Sequence, residues 1–487
     1  MDPATTLDFR RPMLVPMPAK LSWRRDVAVR LGPETRVRVV CPDPAAAGWA
    51  RAHLEAWFGF APRVEASREA PASARGDEGY ALHAEPGLVE LGARTLRGAK
   101  WAAHALRQAA ERVPGGPALH GWWLPALDVE DAPALPFRAL HLCWFPEMSA
   151  SFVEREIRLA AYYRFNHVIL EPWGTFRSSR RPELFWPDAP LDPAAARRLA
   201  ALASDLGTTL VPAFNVLGHA GGSPWRSAKH CALDLRPELQ TLFEPDGGWN
   251  WCLSNPDAVA AVRDVVEEMH DAFGSPPFFH VGCDEAEEPS CPACRAAKPY
   301  AKLVLGHLLG VRDLLARRGA RAMVWHDMLL ARDDPRWAGF VANGAPGDAP
   351  ALLDALPRDV VVCEWFYGPP RPDGAWPAPD HFKSLGFDTV ACSWDDLDGI
   401  SSRGRHAREA GLFGAMQTTW IHVRGAEYGR RIEHAARAAW GEDPPDRPCG
   451  RPAAETHWRQ VGWDAGVSSY DETGLWSRQH SRESPVT

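Results

Sequence analysis

The chain of 487 residues contains no run of 18 or more apolar residues, and Met1 to Arg11 carry charges of both signs with no apolar segment among them. The first absence argues against a spanning helix and the second gives no sign of export, so a cytoplasmic protein is expected. Basic residues are not in excess, with 54 Lys and Arg against 62 Asp and Glu and a formal charge of -8. That balance leaves no electrostatic footprint for nucleic acid or an anionic membrane, and neither is expected as a partner. No glycine-rich loop of the GxGxxG or GxxxxGK type follows a candidate strand, which weakens any nucleotide reading. The ten cysteines are scattered over a large chain and read as mostly reduced core side chains rather than a disulfide framework.

Tryptophan, by contrast, is abundant: 22 residues against seven tyrosines, many near the ends of candidate strands. Flat apolar faces suit pyranose rings, although for any one Trp a place in a large core is the better explanation and only their placement along the chain points to sugar. With 46% hydrophobic and 24% charged residues the chain has the balance of a globular protein, and its length exceeds one ordinary domain.

Residues 13–125 carry strand-like pieces at 27–31, 36–40, 80–84 and 88–91, with helical patterns at 45–60 and 94–112. This order suggests a small α+β domain, closed by a Pro-rich linker at 126–136. From residue 137 to about 445 the rhythm changes. Eight short apolar strand candidates (139–145, 167–170, 208–214, 278–282, 322–325, 360–365, 389–394 and 412–420) alternate with helical patterns at 151–164, 193–206, 256–273 and 297–318. Eight such units fit a (β/α)8 TIM barrel, with a doubly wound sheet as the alternative. Residues 446–487 form a C-terminal extension without clear periodicity.

In a barrel the active site lies at the C-terminal ends of the strands. Residues there include Trp144 and Glu147, Glu171 and Trp173, Asn215 and His219, Asp284 and Glu285, His326 and Asp327, Trp365 and Tyr367, Trp394 to Asp396, and Trp420 and His422. The sharpest signal is His280-Val281-Gly282-Cys283-Asp284-Glu285, an apolar strand that ends in two adjacent carboxylates. Ionisable groups at the end of a buried strand are costly unless used or paired. The bland alternative is a capping Asp284 and a solvated Glu285.

Several motifs in order resemble glycoside hydrolase family 20, the β-N-acetylhexosaminidases. They are Phe137-Arg138-Ala139, Tyr163-Arg164-Phe165-Asn166-His167, Val211 to His219, and the His-x-Gly-x-Asp-Glu signature at 280–285. Residues 92–98 resemble part of the small domain that precedes the barrel in that family. Cys283, with Cys291-Pro292-Ala293-Cys294 shortly after, is similar to the intracellular hexosaminidase D branch. The resemblance implies exo-acting, retaining removal of a terminal N-acetylhexosamine from a carbohydrate, with no cofactor or metal. In that mechanism the substrate's acetamido oxygen attacks the anomeric carbon, Asp284 orients the amide, and Glu285 is the general acid and base. It further implies that Arg138 binds sugar hydroxyls, that Trp325, Trp365 and Trp420 surround the acetamido group and ring, and that His219, His280 and Asn215 support the acids.

The chain also departs from the family. Ala213 and Asn215 replace the usual Glu and Asp of the third segment, and Ser393-Trp394-Asp395-Asp396 replaces a Tyr followed by an Asp. Trp394 or Tyr367 could supply the missing donor, with Asp396 as a sugar ligand. Ile421-His422 stands where a hydroxyl-binding Glu follows the last Trp. These changes leave the gluco or galacto preference open. Other readings are a structural zinc site on Cys283, Cys291 and Cys294, a non-catalytic carbohydrate-binding barrel, and a glycosidase using Glu171 and Glu285 as an ordinary carboxylate pair.

Overall fold

The computed structural model describes residues 11–112, 121–146, 148–222, 231–297, 299–420 and 425–443. Glu147, Ile421, His422 and the 446–487 extension therefore lie outside the described residues. The chain divides into two compact units, one built mainly from residues 11–134 and the other from residues 135–161 and 165–435. Among the described residues no helix is long and apolar enough to cross a membrane.

The first unit is a mixed sheet covered by two helices. Its strands are β1 (Lys20–Leu31), β2 (Arg36–Val40), β3 (Arg63–Ser67), β4 (Tyr80–Glu85), β5 (Leu88–Ala93), β6 (Glu111–Arg112) and β7 (Trp122–Asp131). They run in the order β1-β7-β4-β5-β2-β3, with β6 on β7. Alternation sets the buried face: Tyr80, Leu82 and Ala84 of β4 are buried, and Ala81 and His83 are only half-buried. Helices Ala46–Phe58 and Leu96–Ala109 share that core, the second capped by Thr95, whose hydroxyl accepts from Gly98 N at 3.2 Å.

The α+β class holds here, but the expected linker does not. Residues 122–131 are β7, a central strand paired with both β1 and β4. The Pro-rich composition misleads because Pro125 sits opposite Ala28, where the β1 register shifts between Arg24 and Ala28, and a bulge tolerates a residue with no N–H. The first unit thus reaches Ala134. β3 is also unforeseen, since its side chains Arg63, Glu65 and Ser67 give an edge strand no apolar stripe.

The second unit is an eight-stranded parallel barrel. Its strands are β8 (Phe137–Trp144), β9 (His167–Pro172), β10 (Thr209–Pro212), β11 (Phe278–His280), β12 (Arg321–Trp325), β13 (Val361–Glu364), β14 (Asp388–Ser393) and β15 (Gly414–Gln417). Pairing runs in sequence order, β15 returns to β8, and the bridge between Ala213 and His280 closes the ring between β10 and β11. All eight expected strands are present at their expected places. Phe137, Ala139, Ile169, Val211, Met323, Val361, Val390 and Met416 converge as an interior cluster.

One buried ion pair joins the end of β13 to the helix that follows its neighbour β14. Glu364, at the end of β13, is fully buried and faces the Arg403 guanidinium on helix Leu397–Glu409. Arg403 also donates to the Glu364 carbonyl at 3.1 Å and lies 4.6 Å above the Trp376 ring. Burial lowers its pKa to about 9. Truncating one partner strands the other charge in the interior, so Arg403→Ala is expected to cost about 3–5 kcal/mol, read as a lower urea midpoint with an unchanged m-value.

Candidate active site

The residues past β11 make a turn that only a restricted set of side chains allows. Gly282, Cys283 and Glu285 have φ of 67°, 76° and 50°, all in the left-handed region. A Cβ on Gly282 would fall 1.5 Å from Asn215 Oδ1, so glycine is required by both φ and space. Left-handed φ at two non-glycine residues costs about 1–3 kcal/mol each and persists only where neighbours hold it. Here they do. Gly282 N donates to His280 Nδ1 at 3.1 Å, Glu285 N donates to Asp327 Oδ2 at 2.8 Å, and Trp249 Nε1 donates to the Glu285 carbonyl at 2.7 Å.

This turn presents two unlike carboxylates. Asp284 is buried, and the Glu285 side chain is about half exposed. His219 Nε2 lies 3.2 Å from Asp284 Oδ2 and 3.3 Å from Glu285 Oε2, so one imidazole spans both acids. His219 itself has φ of 51° and packs on Trp249 with ring centroids 4.3 Å apart. His280 plays a different part, since its Nδ1 accepts from the turn and its ring lies against Trp325 at 4.3 Å. Asn215 sets the steric limit on Gly282.

Aromatic side chains from the next four strand ends gather around one hydroxyl. Tyr367 Oη accepts from Trp420 Nε1 at 2.7 Å and lies 3.2 Å from Thr418 Oγ1, whose own proton goes to the Ser393 carbonyl at 2.8 Å. Trp394 lies 5.3 Å and Trp365 5.8 Å from the Tyr367 ring. Trp325 is buried as a floor, 5.6 Å from Trp420, whereas Trp365, Tyr367, Trp394 and Trp420 are partly exposed. A cleft of about 450 Å³ is lined by Glu285 together with Leu217, Ala286, Tyr300, Met328 and Asn343 among others.

Two expected sugar ligands are not in this site. Arg138 is the second residue of β8, near the end opposite the acids, and alternates with the interior residues Phe137 and Ala139. Its Nη1 donates to the Leu135 carbonyl at 2.8 Å, so the period of two turns it away from the pocket. Asp396 is exposed and caps helix Leu397–Glu409, accepting from Gly399 N at 2.6 Å. Cys283 likewise stands apart from the other two thiols proposed with it, its Sγ near the Val281 carbonyl at 3.4 Å. The cysteine that joins Cys291 and Cys294 is Cys252.

Glu171 fits poorly as a nucleophile. It is buried with Oε2 3.0 Å from His141 Nε2 and 3.9 Å from Cys143 Sγ, inside the barrel.

The supporting residue with the largest role, Asp327, stood in the rim pattern without an assigned part. It accepts from Glu285 N, from Asn343 Nδ2 at 2.8 Å and from Trp365 Nε1 at 3.1 Å, and so ties the acid turn to an aromatic wall. Burial, and then the charge of Asp284, raise its pKa to about 7. His326 beside it is neutral: Nδ1 accepts from Trp365 N, Nε2 donates to the Val341 carbonyl, and burial lowers its pKa to about 3.

Residues 11–132 match the family model for glycosyl hydrolase family 20, domain 2. No curated protein matches the chain. Among solved structures, an exo beta-N-acetylglucosaminidase from Vibrio harveyi aligns at TM-score 0.67 and 16% identity over 95% of this chain and 77% of its own. A beta-N-acetylhexosaminidase from Bacteroides fragilis aligns at 0.66 and 17% over 96% of both chains. One from Streptomyces coelicolor aligns at 0.66 and 17% over 92% of this chain and 96% of its own. At these identities the likeness establishes the fold, a TIM barrel preceded by an α+β domain.

The Asp327 proton has a measurable consequence. Its pKa is raised from 3.8 to about 7, so between those values the folded chain holds a proton that the unfolded chain has released. That contribution to stability is present in full at low pH and is lost as pH rises through the window. Asp327→Asn is expected to flatten the fall of Tm between about pH 4 and pH 7, and an unaltered slope would place the titration elsewhere.

Proposed function

We propose that the chain is a member of glycoside hydrolase family 20, acting as an exo-acting, retaining β-N-acetylhexosaminidase on carbohydrates that end in an N-acetylhexosamine. The observation that carries this reading is the pair of adjacent acids, one buried and one half exposed, spanned by His219. The match over residues 11–132 and the fold of the three hexosaminidases support it.

In the proposed mechanism the acetamido group does the nucleophilic work, so the protein needs no carboxylate on the anomeric carbon. Asp284 accepts the amide N–H and stabilises the positive charge that develops as the oxazolinium forms. Its burial strengthens that interaction, because charge is poorly screened there. Glu285, half exposed, protonates the glycosidic oxygen and then takes a proton from the attacking water, which returns the sugar with retained configuration. Tyr367 O–H donates to the acetamido oxygen, in place of the family's tyrosine after the seventh strand. Trp365, Trp394 and Trp420 offer their faces to the ring, and the cleft beside Glu285 receives the leaving group. Assignment to the hexosaminidase D branch rests on Cys283 and the CxxC motif. The free cysteines among the described residues suit the cytoplasmic location that the branch implies.

Paired aryl β-glycosides of N-acetylglucosamine, N-acetylgalactosamine and the parent sugars test the reading. Cleavage confined to the acetamido sugars is expected, and cleavage of the plain sugars would replace this mechanism with one that uses two carboxylates. Glu285→Gln is expected to lower kcat by about 10²- to 10⁴-fold on a poor leaving group and far less on an activated aryl glycoside. Tyr367→Phe should lower kcat by about 10²- to 10³-fold with little change in KM, and an equal loss on every glycoside would remove Tyr367 from the acetamido site.

A further inference from the structure

A thiol cluster lies outside the proposed reaction. The sulfur atoms of Cys252, Cys291 and Cys294 all fall within 4.8 Å of one another, and Cys252 Sγ is 3.8 Å from Cys294 Sγ. Cys252 and Cys294 are buried, and Cys291 is partly so. The three come from different connections: Cys252 from the one between β10 and helix Pro256–Ala272, Cys291 and Cys294 from the one that follows β11.

Two further polar groups point to an occupant. Glu244 is buried, with Oε2 accepting from Ser290 N at 2.7 Å and from Cys291 N at 2.5 Å. Its Oε1 is enclosed and has no hydrogen-bond partner, while the carboxylate stands against the Cys294 thiol. The Tyr300 hydroxyl, also enclosed and without a partner, faces the same group of Cys252, Cys294 and Glu244. A buried carboxylate oxygen that meets no N–H or O–H donor and packs against thiols offers, with them, a donor set that a cation would satisfy.

We propose that Cys252, Cys291 and Cys294 hold a structural Zn²⁺ as thiolates, with Glu244 Oε1 as the fourth donor and Tyr300 O–H donating to a bound sulfur. Three soft thiolates and one carboxylate suit tetrahedral zinc, and the three thiol protons pass to solvent on binding. A disulfide between Cys252 and Cys294 needs an external oxidant and leaves Cys291, Glu244 and Tyr300 unexplained. Four closed positions leave no room for substrate, so the ion positions rather than catalyses.

What it positions is the acid turn. Between Glu244 and Cys252 lie Trp249, bonded to the Glu285 carbonyl, and Asn250, whose Nδ2 donates to the Glu287 carbonyl at 2.7 Å and whose Oδ1 accepts from Glu287 N at 3.1 Å. Zinc therefore clamps the connection after β10 to the one after β11 on both sides of these bonds.

The test is metal content of the tag-free full chain by mass spectrometry, followed by chelation and titration with Zn²⁺ and with Co²⁺. One equivalent of zinc per chain is expected, with thiolate-to-cobalt charge-transfer absorption in the cobalt form and the three thiols shielded from a thiol reagent until the ion is removed. Cys252→Ser and Cys294→Ser should lose the equivalent, whereas Glu244→Gln should keep it with weaker affinity. Wild-type chain with its native circular dichroism that neither retains nor takes up either ion would overturn the proposal. So would zinc held equally by both cysteine variants, or a Cys252–Cys294 disulfide in the native chain.

Discussion

The site depends on a backbone amide. Glu285 N–H is held by the Asp327 carboxylate, and that bond stabilises a left-handed turn that no strand would adopt by propensity. Asp327 also reaches Trp365 and Asn343 and so sets the acids against the aromatic wall. The arrangement tolerates a buried carboxylate with its pKa near neutrality because three donors converge on it. Acid positioning and aromatic positioning are thus one problem with one solution.

The two acids owe their difference to depth rather than to residue type. Asp284 faces inward beneath the rim, where a charge is weakly screened, and Glu285 reaches solvent, where it can exchange protons. His219 stands at nearly equal distances from both, so its position links the two side chains.

Much of this was legible in the sequence, and the exceptions have physical causes. The eight barrel strands announced themselves as short apolar runs because parallel strands are buried on both faces. The acid pair stood out because charge at the end of such a run demands an explanation. Arg138 failed because motif position does not reveal strand parity: one residue either way decides between pocket and outer face. Asp396 failed because a capping aspartate and a ligand aspartate look alike in sequence. The β7 strand was hidden by Pro125, whose bulge partner lies about a hundred residues away, and Cys252 by its distance along the chain from the CxxC pair. Asp327 showed only as one of several rim acids, and nothing local to it says that its partner is an amide on another strand end.

The grip of Trp249 and Asn250 on the carbonyls of Glu285 and Glu287 makes the connections after β10 and β11 a single structural module. A graft that exchanged either connection alone between barrels of this kind would bring in acids without the indole and amide that aim them. Divergence of substrate preference is accordingly easier on the opposite side of the rim, where Trp394 and Trp420 can change without disturbing that module.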